Sequence, residues 1–293
     1  KDFELYPDFP TGGFADCSKY MQGARGGSVK VRARIDKIDK STIVISEIPY
    51  GKTTHILIDS ILKAKEKGKI KIKKIEDMTT DKVEITIHLP NDVSPDKTID
   101  ALYAFTDCET NIAPNACVIM DNKPQFLDVH EILRYDTFHT RDILMQELQI
   151  RLTELEDEWH LNSLERIFFE NRIYKVLEQD QKDWETQIGD VFSKMKEYQD
   201  LLKREITMED ILKLVEKPVR KISKFDTKAV DEKIRGIEEQ IRAVSDNIEH
   251  IYRYTINWFK DLKKKYGKDY PRRTELTGFE TIAATKVVNN NAK

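Results

Sequence analysis

Between Val230 and Leu262 the apolar residues recur in steps of four and three: Val230, Ile234, Ile237, Ile241, Val244, Ile248, Ile251, Thr255, Trp258 and Leu262. Only Thr255 is off-type, and this period belongs to a coiled-coil seam rather than to a broad amphipathic stripe. At 1.5 Å per residue the helix is on the order of 50 Å long. One narrow apolar stripe on so long a helix needs a partner of similar length. Leu144, Leu148, Leu152, Leu155, Trp159, Leu164 and Ile167/Phe168 supply a looser one, continuing to Val176 and Leu177. About fifty residues separate the two stripes, too many for a turn and enough for a small globular tip. The pattern predicts an antiparallel arm: out along 131–177, through a tip at 178–227, back along 228–266, then a linker over 267–293. Two ordinary helices of an all-α bundle are the alternative, and the strict stepping favours the arm.

Upstream, residues 1–130 read as an α+β domain, which makes the whole chain α+β with a helical arm. Ser28–Ile35 alternates, with Val29, Val31, Ala33 and Ile35 on one side and Lys30, Arg32 and Arg34 on the other. That is a half-buried strand with a cationic outer face. Ser41–Ile48 is the next strand, broken at Ile48-Pro49-Tyr50-Gly51-Lys52. Thr53 or Thr54 can cap a helix reaching about Lys67, with Ile56, Leu57, Ile61 and Leu62 inward. Lys69–Lys73 alternates again, lysines outward and Ile70 and Ile72 inward. Val83–Leu89 is a strand, and Ser94-Pro95 opens a helix with proline at its first position. Cys117–Met120 and Gln125–Leu127 flank an Asp121-Asn122 hairpin turn. One antiparallel sheet carrying helices accounts for these elements.

Charge sharpens this picture. The net charge is −3, yet Lys19–Lys74 holds fifteen Lys or Arg against five Asp or Glu, a local +10, so the remainder carries −13. Such asymmetry marks one part of the molecule for an anionic partner. Three cysteines without C-x-x-C spacing fit a reduced, cytoplasmic setting. No apolar run reaches the roughly 18 residues of a membrane span. The chain starts without Met and ends in a polar tail, and it reads as a piece of a longer protein.

Cations at period two stand about 6.5–7 Å apart and can follow a phosphate backbone. The glycines of Gly23-Ala24-Arg25-Gly26-Gly27 let main-chain N–H groups approach phosphates. Each cluster by itself also fits a solvated strand face or a simple turn; both in one basic domain point to duplex binding by Arg25, Lys30, Arg32, Arg34, Lys52, Lys69, Lys71 and Lys73. These contacts would position a duplex rather than read its sequence. Catalytic signals are sparse. The six histidines lack metal-ligand spacing, no P-loop or G-x-S-x-G occurs, and the acids of 154–165 fit the wet face of a helix.

Pro7-Asp8-Phe9-Pro10-Thr11-Gly12-Gly13, then Gly23-x-Arg25-Gly26-Gly27-Ser28-Val29-x-Val31-Arg32-Ala33, then Glu47-Ile48-Pro49-Tyr50 resembles, in order and spacing, the A subunit of bacterial type IIA DNA topoisomerases (gyrase and topoisomerase IV). Asn111-Ile112, Arg141 at the start of the arm and Arg272-Arg273-Thr274-Glu275 after it are also similar. Gly27 departs from the family's Gly-Arg-Gly-Ser. The resemblance implies that 1–130 is the tower, 131–266 the coiled-coil arm, and the tip an exit gate through which subunits form a homodimer. It places the nucleophilic Tyr in an upstream winged-helix domain, within Arg-Tyr-Thr. Arg134-Tyr135-Asp136 and Arg253-Tyr254-Thr255 only imitate that motif and read as structural. Mg2+ and ATP are implied on the partner B subunit, with no cofactor or metal in this chain, so the chain alone is expected not to cleave DNA. The run Phe279–Ile282 resembles the lead into a DNA-wrapping domain. A coiled-coil hinge scaffold of a chromosome-organising protein is the alternative function, although its arms would run for many more heptads.

Overall fold

The computed structural model describes residues 3–178, 183–216 and 227–280. Within the expected tip, 179–182 and 217–226 lie outside the described residues, as do 281–293 of the expected linker. The chain divides into two compact units, 1–136 with 265–293, and 137–264.

The first unit is built from strands β1 (Phe14–Lys19), β2 (Ser28–Arg32), β3 (Arg34–Lys37) and β4 (Thr42–Glu47), helix α1 (Thr54–Glu66), strands β5 (Lys74–Asp77) and β6 (Ile85–His88), helix α2 (Pro95–Phe105), and strands β7 (Glu109–Ile112), β8 (Cys117–Met120) and β9 (Lys123–Phe126). It closes with the two-residue β10 (Glu275–Leu276). The single sheet expected from the sequence is in fact two four-stranded sheets, ordered β10-β1-β2-β7 and β3-β4-β6-β5, plus the β8-β9 hairpin. Among the described residues all pairings are antiparallel except β1 with β10.

The predicted strand Ser28–Ile35 is divided between the two sheets at Ala33. Its amide donates to the Cys108 carbonyl at 2.8 Å and its carbonyl accepts from the Tyr103 hydroxyl at 2.9 Å. Alternation survives the crossing because the chain stays extended, and the small Ala33 side chain is fully buried in the core under the second sheet.

That core joins Ile43, Ile45, Ile85 and Ile87 to Leu57, Ile61 and Ala64 of α1 and to Ala101 and Leu102 of α2. Thr53 caps α1, its side chain accepting from the Ile56 amide. Ile56 and Leu62, expected inward, are exposed. Each sits about 100° around the helix from its buried neighbour Leu57 or Ile61, off the packed stripe. Lys69–Lys73 is no strand either. Gly68 in the left-handed region (φ +66) ends α1, with Lys69 N–H donating to Ala64 O and Gly68 N–H to Lys65 O, both at 2.9 Å. Ladder pairing starts only where Lys73 N–H reaches His88 O at 2.8 Å. Ile70 and Ile72 are nevertheless buried in the core.

Helix α3 (Val129–Glu170) begins with a reciprocal cap between Asp128 and Glu131, each side chain accepting from the other's amide. It stops at Glu170, short of the 177 expected, because Arg172 turns left-handed (φ +53) and a 3-10 segment follows over Ile173–Glu178. In the second unit α3 is followed by α4 (Trp184–Lys196), α5 (Met208–Val215), α6 (Thr227–Glu249) and α7 (Ile251–Tyr266). Helical hydrogen bonds run on through the break at His250, from its amide to Asp246 O and from Tyr254 N–H to His250 O.

Leu155 and Trp159 pack on Ile234, Ile237 and Ile241, while Leu144 and Leu148 pack on Ile251. Partners fall in number on one helix as they rise on the other, so α3 and α6–α7 are antiparallel. Thr255, the off-type seam position, is buried and donates its hydroxyl to Ile251 O at 2.8 Å. Trp258 and Leu262, the last two seam positions, are exposed, more so than the buried Ile251 and Thr255 before them. Beyond the helix pair, Leu164, Ile167, Phe168, Ile188, Val191, Met195, Ile211 and Leu214 form a separate core. Among the described residues no helix is long and apolar enough to cross a membrane.

Candidate nucleic-acid interface

The eight predicted contact residues do not form one patch. Arg32 on β2 is opposite Glu109 on β7, and its Nε lies 2.6 Å from the Glu109 carboxylate. Its guanidinium carbon is 4.7 Å from the Tyr103 ring and 4.2 Å from the Phe279 ring, leaving the side chain 13% exposed. Lys30, two residues earlier on the same face, is exposed, with Nζ 3.9 Å from Glu109. Arg34 on β3 meets Glu47 at 3.0 Å and Glu275 at 3.2 Å and stacks 4.4 Å from the Phe14 ring. Glu47 also accepts the Gly13 amide at 2.6 Å, so this carboxylate knots the Phe9–Gly13 turn to the sheet. Lys52 pairs with Asp107 at 3.0 Å. The cationic strand face is thus largely neutralised by acids from elsewhere in the chain.

Arg25 is exposed on the glycine loop. Gly23 and Gly26 take positive φ (+82 and +96), and a Cβ on Gly27 would meet the Tyr20 carbonyl oxygen at 2.3 Å. The departure at Gly27 therefore answers a close backbone approach, which any side chain would block.

Lys69, Lys71 and Lys73 are exposed on the segment after α1. Ile70 and Ile72 point into the core and turn the intervening lysines outward. Lys69 lies 5.4 Å from the Phe105 ring. Sequence reasoning passed over Lys63, Lys65 and Lys67, exposed on and just after the last turns of α1. The signal was present in the run Lys63-Ala-Lys-Glu-Lys-Gly-Lys69, which a helix C-terminus favours through its dipole. In the order β3-β4-β6-β5, Arg34 and Lys73 belong to opposite edges, about 14 Å apart at the usual strand spacing.

Tyr254 packs against the Leu144, Leu148 and Ile251 cluster, and Arg253 pairs with Asp246 at 2.5 Å. Among the described residues no cluster of His, Cys, Asp or Glu is arranged to hold a metal ion.

Comparison with known proteins agrees with the motif order. The family described as the DNA gyrase/topoisomerase IV A subunit matches residues 1–263. The DNA topoisomerase 4 A subunit of Borreliella burgdorferi is 33% identical over 293 residues, covering 100% of this chain and 46% of the relative. The DNA gyrase A subunit of Lawsonia intracellularis is 34% identical over 164 residues, covering 53% of this chain and 20% of that protein. The DNA gyrase A subunit of Brachyspira hyodysenteriae is 23% identical over 302 residues, covering 95% and 34%. The chain spans less than half the length of these relatives. With the match extending over both compact units, this chain belongs to the DNA gyrase/topoisomerase IV A-subunit family.

Proposed function

We propose that this chain is the tower and exit-gate segment of the breakage–rejoining subunit in a type IIA topoisomerase, working on double-stranded DNA as a homodimer with a B subunit. The observation that carries this reading is the set of exposed lysines over 63–73 in a chain of this family, those of 69–73 turned outward by the buried Ile70 and Ile72. Rigidly presented cations gather phosphates along the flank of a duplex, and contacts that form only when the duplex bends favour the bent form. Lys30 adds an exposed cation on the other sheet, and Arg25 one on the glycine loop that precedes it. Arg32, Arg34 and Lys52 serve first as internal ion-pair partners.

The antiparallel pair α3 with α6–α7 acts as the coiled-coil arm, and the core around Val191 and Ile211 as the gate that holds two subunits together while a duplex passes. Mg2+ and ATP, carried by the B subunit, supply phosphodiester chemistry and the drive for strand passage; this chain's residues hold and orient the duplex. With the nucleophilic tyrosine expected in an upstream domain, the described residues serve to hold DNA rather than to cleave it.

The test is a salt titration of duplex affinity. Reversing Lys69, Lys71 and Lys73 to Glu is expected to flatten the plot of log K against log salt by up to about 3, at roughly 0.9 per lost phosphate contact. An unchanged slope removes this segment from the interface. A non-DNA scaffold whose coiled coil binds partner helices would show only weak, non-specific attraction to the duplex at moderate salt.

A further inference from the structure

Two of the predicted cations are masked by one short segment. After α7 the chain returns to the first unit, where Thr274 is buried and donates its amide to Asp8 at 2.8 Å while its hydroxyl accepts from the Phe9 amide at 2.7 Å. Beyond that anchor the hold becomes slight. Glu275 N–H donates to Gly13 O at 2.9 Å and Thr277 N–H to Ala15 O at 3.1 Å, and Phe279 N–H donates to the Asp16 carboxylate at 3.0 Å. The paired part is two residues long, lies at the sheet edge and is exposed. Yet from this strap Glu275 reaches the Arg34 guanidinium at 3.2 Å, and the Phe279 ring covers Arg32 at 4.2 Å, in addition to the fixed Tyr103 ring.

We propose that residues 275–279 form a displaceable strap that competes with DNA phosphates for Arg32 and Arg34. Closed, the strap gives Arg34 a second carboxylate besides Glu47 and shuts Arg32 away from solvent. Displaced at the Thr274 anchor, it uncovers a guanidinium on each sheet, and phosphates replace what Glu275 and Phe279 supplied. The Arg34–Glu275 pair is solvent-exposed on the acid side, 58% for Glu275, so exchanging one anion for another costs little. Guanidinium groups also bind phosphate oxygens through paired N–H donors, as they bind carboxylates. This inference rests on the duplex-binding reading above and adds a regulated element to it: part of the basic surface becomes available only when the strap lifts.

The experiment measures affinity of the full chain for a 30-base-pair duplex across a KCl series, for wild type, Glu275→Gln and Phe279→Ala. Glu275→Gln alters an exposed side chain and leaves the strap backbone intact. Each variant is expected to bind several-fold more tightly at low salt, with a slope steeper by about 1 for each added phosphate contact. Adding Arg34→Gln to Glu275→Gln is expected to cancel that increase. In the wild type, hydrogen exchange at the Thr277 and Phe279 amides is expected to quicken on adding duplex. Unchanged affinity and slope in both variants, or stronger protection of those amides with duplex, overturns the strap while leaving the lysine-dependent binding in place. Absence of duplex binding by wild type and variants alike overturns both readings.

Discussion

His160 on α3 is 1% exposed, with neither ring nitrogen hydrogen-bonded and Nε2 3.4 Å from the Asp210 carboxylate. Arg204 already holds Asp210 through two bonds of 2.8 and 3.0 Å, and Asp210 caps α5 together with Thr207. Burial first, and then the nearby Arg204 charge, press the His160 pKa below its ordinary value, against the pull of Asp210 and Asp157. The unfolded chain therefore takes up the proton before the folded one. The stability this group contributes is complete above the unfolded pKa of about 6.5 and is lost as pH falls below it. Thermal melting of the second unit is expected to move down between pH 8 and pH 5.5, and His160→Leu to flatten that dependence; an equal shift in the variant would place the effect elsewhere. At this scale the residue types were legible and their partners were not. Arg32 and Arg34 read as outward cations, but their acids lie 77 and 241 residues away at Glu109 and Glu275. Only folding brings such distant charges together.

At the scale of elements, the seam of α6–α7 was read from spacing alone, since a strict four–three step leaves a helix one face to bury. Its closed stretch runs through Ile234, Ile237 and Ile241 to Ile251. Ile237→Ala is expected to cost about 2–5 kcal/mol by leaving a cavity in the seam. Leu262→Ala, at an exposed position, should stay within about 0.5 kcal/mol. Gly236, with nothing within 4 Å of an added Cβ, offers the opposite change. Gly236→Ala is expected to stabilise α6 by roughly 0.5–1 kcal/mol through helix propensity. Denaturant midpoints at constant m-value measure all three. Periodicity misled where side-chain anchoring replaces a hydrogen-bonded ladder, as at Lys69–Lys73, and where one extended run crosses between sheets, as at Ala33.

For the whole molecule, two compact units carry separate cores, and the proposed function assigns DNA holding to one and the gate to the other. Met208 and Leu212 lie one turn apart on α5 and are exposed, as an interface between copies would require. On the homodimer reading proposed above, Met208→Glu with Leu212→Glu is expected to leave the chain monomeric in sedimentation velocity without changing the salt slope of duplex binding; a dimer that persists in the variant would move the contact away from α5. The sequence by itself determined the α+β class, the two long helical stripes, the family and the local excess of positive charge. Each is a property of residue order over short windows or of motif order along the chain. The tertiary structure decided that the strands divide into two sheets, which lysines stay outward, and that Arg32 and Arg34 are engaged by carboxylates and rings. Those outcomes depend on contacts closed over long loops, where packing and charge pairing select partners that no local pattern specifies.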